Sequence, residues 1–506
     1  MEFLQIPWSV LLQFNNTVSI VIFIAVFTLI FDFMKRRKVS NRYPPGPWAL
    51  PFLGNLLQIG IKNRHICLTE LSKKCGDIYS LQIGWGNVVV INGFKATKEI
   101  LIKKSEDCAD RPVIPLIEVL GYTNNREGVV LAHYGRSWKE QRRFTLSTLR
   151  NFGLGKKSLE DRIIEEARFV CNEFQTKKGQ PFDAHFIINN AVSNVICSII
   201  FGQRFDYEDK KFLELLHLFE ENLKVLSGVW AEMLNIIPWA AHLPGPHQQI
   251  FKVQRKMKEF LLAYIKQHKD TWDPSEKRDF IDAFITEMEK VKDDPGSSFN
   301  EENLMHTTLD VFIAGTETTS TTLRWALLFM LIYPAIQSKV QEEIDRVVGK
   351  NRSPKLDDRM NMPFTDAVIH EVQRYGDILP IGPPRKTIRD IDVMGFFLPK
   401  GTTILPNLSS VLKDETVWEK PLEFYPEHFL DNNGKFVKRE AFLPFSAGHR
   451  ICLGEQLART ELFIFFTTMM QQFTFHIPDS EPKPSTDSCF MSTLAPTPFK
   501  ICAKLR

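Results

Sequence analysis

The stretch Phe445-Ser-Ala-Gly-His-Arg-Ile-Cys-Leu-Gly454 constrains this chain more than any other, because it sets one cysteine between two glycines directly ahead of a long helical run. Gly448 can turn the backbone sharply and Gly454 lets another group approach closely, so the Cys452 sulfur is presented at a surface that a flat cofactor can cover. From Glu455 onward the pattern is helical. A thiolate at a helix N-terminus is favoured by unpaired backbone N–H groups and the macrodipole, and metal coordination deprotonates a thiol outright. Arg450 is a cation suited to a carboxylate. A cysteine taken alone is more often a small buried hydrophobe, which is the reading for the other seven.

Together, Phe445, Gly448, Arg450, Cys452 and Gly454 resemble the haem-binding loop of the cytochrome P-450 family, and the resemblance runs from a proline-rich hinge to the C-terminus. It implies a mainly α fold with small β-sheets and haem b bound through Cys452 as the axial iron ligand.

The chain has 506 residues and no Gly/Ser linker or low-complexity stretch after its N-terminal segment, so residues 51–506 read as one catalytic domain. A net charge of +3 gives no argument for nucleic acid. The eight cysteines show neither paired C-x-x-C spacing nor a dense secreted framework, which places the thiols in a reducing compartment. From Thr17 to Phe31 the sequence is almost wholly apolar, and Lys35-Arg-Arg-Lys38 follows. Residues 1–34 therefore read as a membrane span, which needs about 20 apolar residues, with the following domain on the cytosolic side. The Asn15-Asn16-Thr17 glycosylation triplet abuts that membrane. Residues 35–50 read as a basic stop-transfer and a stiff hinge, Tyr43-Pro-Pro-Gly-Pro47.

Ile78–Ile83 and Val88–Ile91 read as a hairpin, Ala96–Lys104 as a helix, and Arg111–Val130 as a loop. The resemblance makes that loop the roof of the haem pocket, with Arg111 reaching a propionate; a solvated loop arginine is the competing reading. A helix opens at Ser137 with Trp138 and Arg142 on one face, which the family directs at one propionate. Lys139, Arg143, Arg150, Lys156 and Lys157 form a basic region for an acidic redox partner, against the alternative of an ordinary solvated face. Two helical patterns from Lys211 to Lys269 flank an apolar connection, in which Trp239 suits a membrane interface.

A long helix from near Asn300 to Ile332 carries Ala314-Gly-Thr-Glu-Thr-Thr319, where glycine and hydroxyl residues weaken it. Small-residue packing is the plain cause; the resemblance makes the tract an oxygen-binding groove, with Thr318 the hydroxyl donor and Glu317 the acid beside it. Glu371 and Arg374 lie three apart on one helix face. In the family this pair is buried and completed by an arginine from a downstream meander, where His428 stands here. Leu379-Pro-Ile-Gly-Pro-Pro-Arg385 offers Leu379 and Ile381 to substrate and Arg385 to a propionate, and Ala314 and Leu494 complete the pocket. Core packing is the competing explanation for these apolar residues.

The implied activity is NADPH-dependent monooxygenation at the endoplasmic reticulum membrane, with the electrons delivered by a flavoprotein reductase and cytochrome b5 as an optional second donor. A haem-thiolate isomerase and a non-catalytic haem sensor are the alternatives. The stretches Arg142–Gly155 and Arg459–Phe466 resemble family 2, particularly its J subfamily. That likeness implies epoxidation or hydroxylation of polyunsaturated fatty acids such as arachidonic acid, with Arg126 as a candidate carboxylate anchor, alongside lipophilic xenobiotics. A steroid or xenobiotic monooxygenase with little fatty-acid activity is the substrate alternative.

Overall fold

A computed structural model describes residues 19–31, 40–50, 53–60, 63–83, 86–121, 127–152, 157–294, 296–490 and 493–506. The centre of the fold is a helix, α5, and seven helices frame the site: α1 (Arg136–Asn151), α2 (Lys157–Thr176), α3 (His185–Ile200), α4 (Lys210–Leu226), α5 (Glu301–Ile332), α6 (Pro363–Gly376) and α7 (Glu455–Gln472). Asn300 starts α5 by accepting the Asn303 N–H at 2.8 Å, with Glu301 and Glu302 in the first turn favouring its dipole. It stops at Tyr333, ahead of Pro334.

α3 is apolar almost all round and packs along α5, α7 packs on α2, and their side chains join one hydrophobic core. A methyl group on Gly315 would lie 2.4 Å from Ile196 Cδ1. Close approach of α3 therefore accounts for that glycine, and helix weakness is a by-product of packing.

The strands are β1 (Ile78–Ile83), β2 (Gly86–Ile91), β3 (Arg385–Lys386), β4 (Ile391–Val393), β5 (Phe396–Leu398), β6 (Thr403–Pro406), β7 (Phe473–His476), β8 (Ser488–Phe490), β9 (Leu494–Pro496) and β10 (Cys502–Leu505). The largest sheet has the order β1-β2-β6-β3, with β1 and β2 antiparallel in the register Ile78↔Ile91 and β2 parallel to β6. β8 and β9 pair as a separate hairpin. The proline-rich hinge lies along β1: the Ser80 N–H donates to Pro45 O at 2.7 Å, and a Cβ on Gly46 would sit 2.0 Å from Ser80 O.

Three sequence expectations change. The first helical pattern after Lys210 breaks at Gly228, giving separate helices Lys210–Leu226 and Val229–Ile236 before Gln248–Asp270. The helix expected over Ala96–Lys104 is α-helical over Gly93–Lys98 and widens into a π turn over Glu99–Lys103. The roof loop contains a short helix, Pro115–Val119, started by its proline. At the N-terminus, residues 19–31 are helical with Phe23, Phe27 and Phe31 exposed. Among the described residues no helix is long and apolar enough to cross a membrane; the rest of the expected anchor, with the Lys35–Lys38 cluster and the glycosylation triplet, lies outside them.

Candidate functional site

The Cys452 loop is fixed by sterics and backbone bonds. Gly448 has φ +74°, and a Cβ there would lie 2.0 Å from Leu101 O and 2.2 Å from Ser105 Oγ, so only glycine fits. The Cys452 N–H donates to Phe445 O at 3.0 Å and closes the loop, while the His449 N–H donates to Ser105 Oγ at 2.6 Å. Among the described residues nothing crowds Gly454, the nearest atom to an added Cβ being Cys452 Sγ at 4.0 Å, which leaves the approach expected there open to a bound group.

Cys452 is exposed although protein surrounds its sulfur closely. Burial raises its thiol pKa; the N–H groups of Gly454 and Glu455, at the start of α7, and the Arg142 cation oppose that by favouring the thiolate.

Four guanidiniums converge beside this loop. Arg450 donates through Nε, Nη1 and Nη2 to the carbonyls of Ala109, Val129 and Ala132, and its guanidinium lies 4.2 Å over the Trp138 ring. Arg111 donates to the carbonyls of Val130, Pro383 and Pro384. Arg142 donates to Ile451 O at 2.7 Å, and Trp138 gives its indole N–H to Val129 O at 3.0 Å. The pair expected to address one propionate is thus tied to two different loop carbonyls in this structure. Arg385 donates through Nη2 to Ser446 Oγ and Ala447 O, and its buried Nη1 has no partner among the described residues.

Burial, and then the neighbouring guanidiniums, push Arg111, Arg385 and Arg450 down to about 9. The nearby carboxylate Asp110 is already engaged by Lys386 and His133. Crowded cations with an orphaned donor form a seat for an added dianion, and the two propionates of a haem fit it.

The second group of predicted residues lies at the middle of α5. Ala314 is exposed, and the Thr318 hydroxyl donates back to Ala314 O at 2.7 Å. Glu317 is directed toward β9: its Oε1 accepts from Thr493 Oγ1 at 2.9 Å and from Thr321 Oγ1 at 3.1 Å. Burial raises the Glu317 pKa, with those two hydroxyls and Arg324 pulling it back. Leu379 and Ile381 are half-buried, with Ile381 also packed against the β1–β2 cluster. Leu494 is buried and bonded through its N–H to Ile378 O at 2.8 Å. Arg126 lies outside the described residues.

Arg374 and Glu371 are fully buried and joined by two hydrogen bonds of 2.7 Å, and the guanidinium also donates to the carbonyls of Leu412, Pro421 and Glu423. His428 completes the group, its Nδ1 lying 3.2 Å from Glu371 Oε2 while Nε2 accepts the Lys420 N–H. The accepted bond assigns the ring proton to Nδ1, so a neutral histidine serves here. On the outer face of α1, Lys139, Arg143 and Arg150 are exposed.

Three residues escaped the sequence reading. Asp310 Oδ2 accepts from the N–H groups of Val129 and Val130, pinning the roof loop to α5, and burial raises its pKa to about 6. Thr493 binds Glu317. Glu461, in α7, accepts from Thr319 Oγ1 at 3.1 Å, while its Oε1 is buried without a partner and burial raises its pKa to about 8.

A profile of the cytochrome P450 family matches residues 44–503. Cytochrome P450 2D20 of Mesocricetus auratus is 52% identical over 499 residues, covering 98% of this chain and 100% of that protein. Cytochrome P450 2D10 of Mus musculus is 51% identical over 490 residues, covering 96% and 97%. Cytochrome P450 2D6 of Homo sapiens is 50% identical over 488 residues, covering 96% and 98%. These relatives carry the 2D designation, which corrects the J-subfamily expectation; the stretches that suggested it mark family 2 more broadly. The chain belongs to family 2 of the cytochromes P450, monooxygenases that bind thiolate-ligated haem b.

Proposed function

We propose that this chain is a membrane-anchored monooxygenase that inserts one oxygen atom of O2 into lipophilic xenobiotics, with NADPH electrons delivered by a reductase and cytochrome b5 as an optional second donor. Residues 1–34 are the anchor, 35–50 the hinge and 51–506 the catalytic part, facing the cytosol from the endoplasmic reticulum membrane. The observation that carries the reading is the convergence of Arg111, Arg142, Arg385 and Arg450 beside the Cys452 loop, with the orphaned Nη1 of Arg385 among them.

When bound, the haem supplies dioxygen activation and oxygen-atom transfer. Cys452 would ligate its iron, and the four arginines, with Trp138 stacked beneath two of them, would hold its acidic edge. Phe445 and Gly448 shape the loop, and Glu371, Arg374 and His428 support it from behind. Thr318 and Glu317 manage protons in the groove, which favours a monooxygenase over an isomerase or a sensor. Ala314, Leu379, Ile381 and Leu494 contact substrate. The basic face of α1 receives the reductase. Exposed Val229, Trp239 and Leu243 meet the membrane surface, from which an apolar substrate enters.

Asp310 favours xenobiotics over fatty acids. It lies one turn from Ala314 on the same helix face, and a buried carboxylate repels a fatty-acid carboxylate while favouring a cationic amine. Epoxidation of arachidonic acid is the second reading. Reconstitution with reductase and NADPH under isotopically labelled dioxygen separates them. One labelled atom in products of a lipophilic amine, with little in arachidonate products, supports the first reading; label in arachidonate products alone overturns it.

A further inference from the structure

We propose that Thr493 is a positioning residue that holds the Glu317 carboxyl turned toward β9 until substrate presses on the adjoining Leu494. This deepens the reading of Glu317 as a proton-handling group and rests on it. Thr493 is buried, with 2% of its surface exposed, and donates to Glu317 Oε1 at 2.9 Å. The neighbouring hydroxyls of Thr321 and Thr493 are 3.5 Å apart, so both converge on one carboxylate oxygen. Thr318 meanwhile gives its hydroxyl to Ala314 O. The two groups assigned to proton handling thus have separate partners, and among the described residues the hydrogen bond that Glu317 makes outside its own helix is with Thr493.

On the proposed reading that Leu494 contacts substrate, the clamp is attached to the pocket through the next residue. The Leu494 N–H donates to Ile378 O at 2.8 Å, and Leu494 O accepts the Trp325 indole N–H at 2.8 Å. Ile378 precedes Leu379, so β9 and the Leu379 turn form one wall. A substrate that displaces Leu494 displaces Thr493 with it and frees the carboxyl to turn toward Thr318. Proton delivery then depends on an occupied pocket, and futile NADPH consumption is restrained when it is empty.

The electrostatic surroundings of Glu317 are Arg324 on α5 and Glu220 on α4; Asp183, His185 and Cys489 face Arg324 in turn. The Thr493 hydroxyl favours the charged form of Glu317, so removing it raises the carboxyl pKa.

Infrared difference spectra of the ferric holoenzyme, titrated with acid and base, follow the carbonyl stretch of the protonated carboxyl, and Glu317→Gln identifies the band by deleting it. Thr493→Val is expected to move its midpoint up by about one pH unit, while Thr493→Ser leaves it in place. NADPH oxidation without substrate is expected to rise severalfold in Thr493→Val. In the wild-type protein, saturation with a lipophilic amine should move the band as Thr493→Val does, a measurement that needs no variant to fold. An unmoved midpoint in Thr493→Val, or an unmoved wild-type band on saturation, overturns the proposal. If Glu317→Gln leaves product formed per NADPH unchanged, the proton-handling reading of Glu317 fails, a result distinct from a band that ignores Thr493.

Discussion

The Cys452 side of the site and the Thr318 side are held by different kinds of bond. Around Cys452, a glycine that admits no substituent meets arginines anchored on carbonyls of Ala109, Val129, Val130, Ala132, Pro383 and Ala447. Around Thr318, whose own hydroxyl bonds Ala314 O, the carboxyls are held by side-chain hydroxyls: Thr321 and Thr493 on Glu317, and Thr319 on Glu461. Backbone anchors cannot rotate away, whereas hydroxyls exchange partners within a rotamer well. The Cys452 side is held in one geometry, and the hydroxyl contacts beside Thr318 permit exchange of partners.

The largest expected effect attacks the rigid side through its support. Arg374→Leu leaves Glu371 charged and buried beside His428 and should cost about 3–5 kcal/mol, read as a fall in thermal stability together with loss of haem from the purified protein. Gly448→Ala strains a φ of +74° and drives a methyl group onto Leu101 O, for a cost of at least about 2 kcal/mol by chemical denaturation. Substitutions of Thr318 or Thr321 by Val should cost well under either of these in stability; equal losses would erase the contrast.

The same contrast explains what could be read in advance. The Cys452 loop was legible because its requirements sit in ten consecutive residues, and Glu371 with Arg374 because three-residue spacing is a helix rule. The extent of α5, from near Asn300 to Ile332, and the start of α7 at Glu455 were legible from the sequence pattern. Contacts between distant segments were not legible: Thr493 reaches Glu317 across 176 residues and Val129 reaches Asp310 across 181. The acceptors of Arg111 and Arg450 are backbone carbonyls, which carry no sequence signature. For Gly315 the sequence offered packing and function side by side, and the packing partner, Ile196, lies too far upstream to be named from the sequence.

A smaller effect sharpens the oxygen side. The folded pKa of Glu461, about 8, lies above the ordinary range near 4.3, so its contribution to stability is full below about pH 4 and is lost as pH rises toward 8. Glu461→Gln should therefore show a shallower fall in melting temperature between pH 5 and pH 8 than the wild-type protein. Parallel curves would mean that the carboxyl is not buried in its protonated form. The smallest change expected is in stability on reversing Lys139 and Arg143 to Glu, which should leave the melting temperature within about 1 °C but slow reduction by the reductase and flatten its salt dependence.

The absorption spectrum of the reduced, carbon monoxide-bound protein tests the central claim most directly, with Cys452→Ser and Thr318→Ala compared with the wild-type chain. The thiolate signature should be present in the wild-type protein, retained in Thr318→Ala and absent in Cys452→Ser. A thiolate signature that survives in Cys452→Ser would contradict the assignment of Cys452 as the ligand, and with it the division of the site into a fixed ligand side and an adaptable oxygen side.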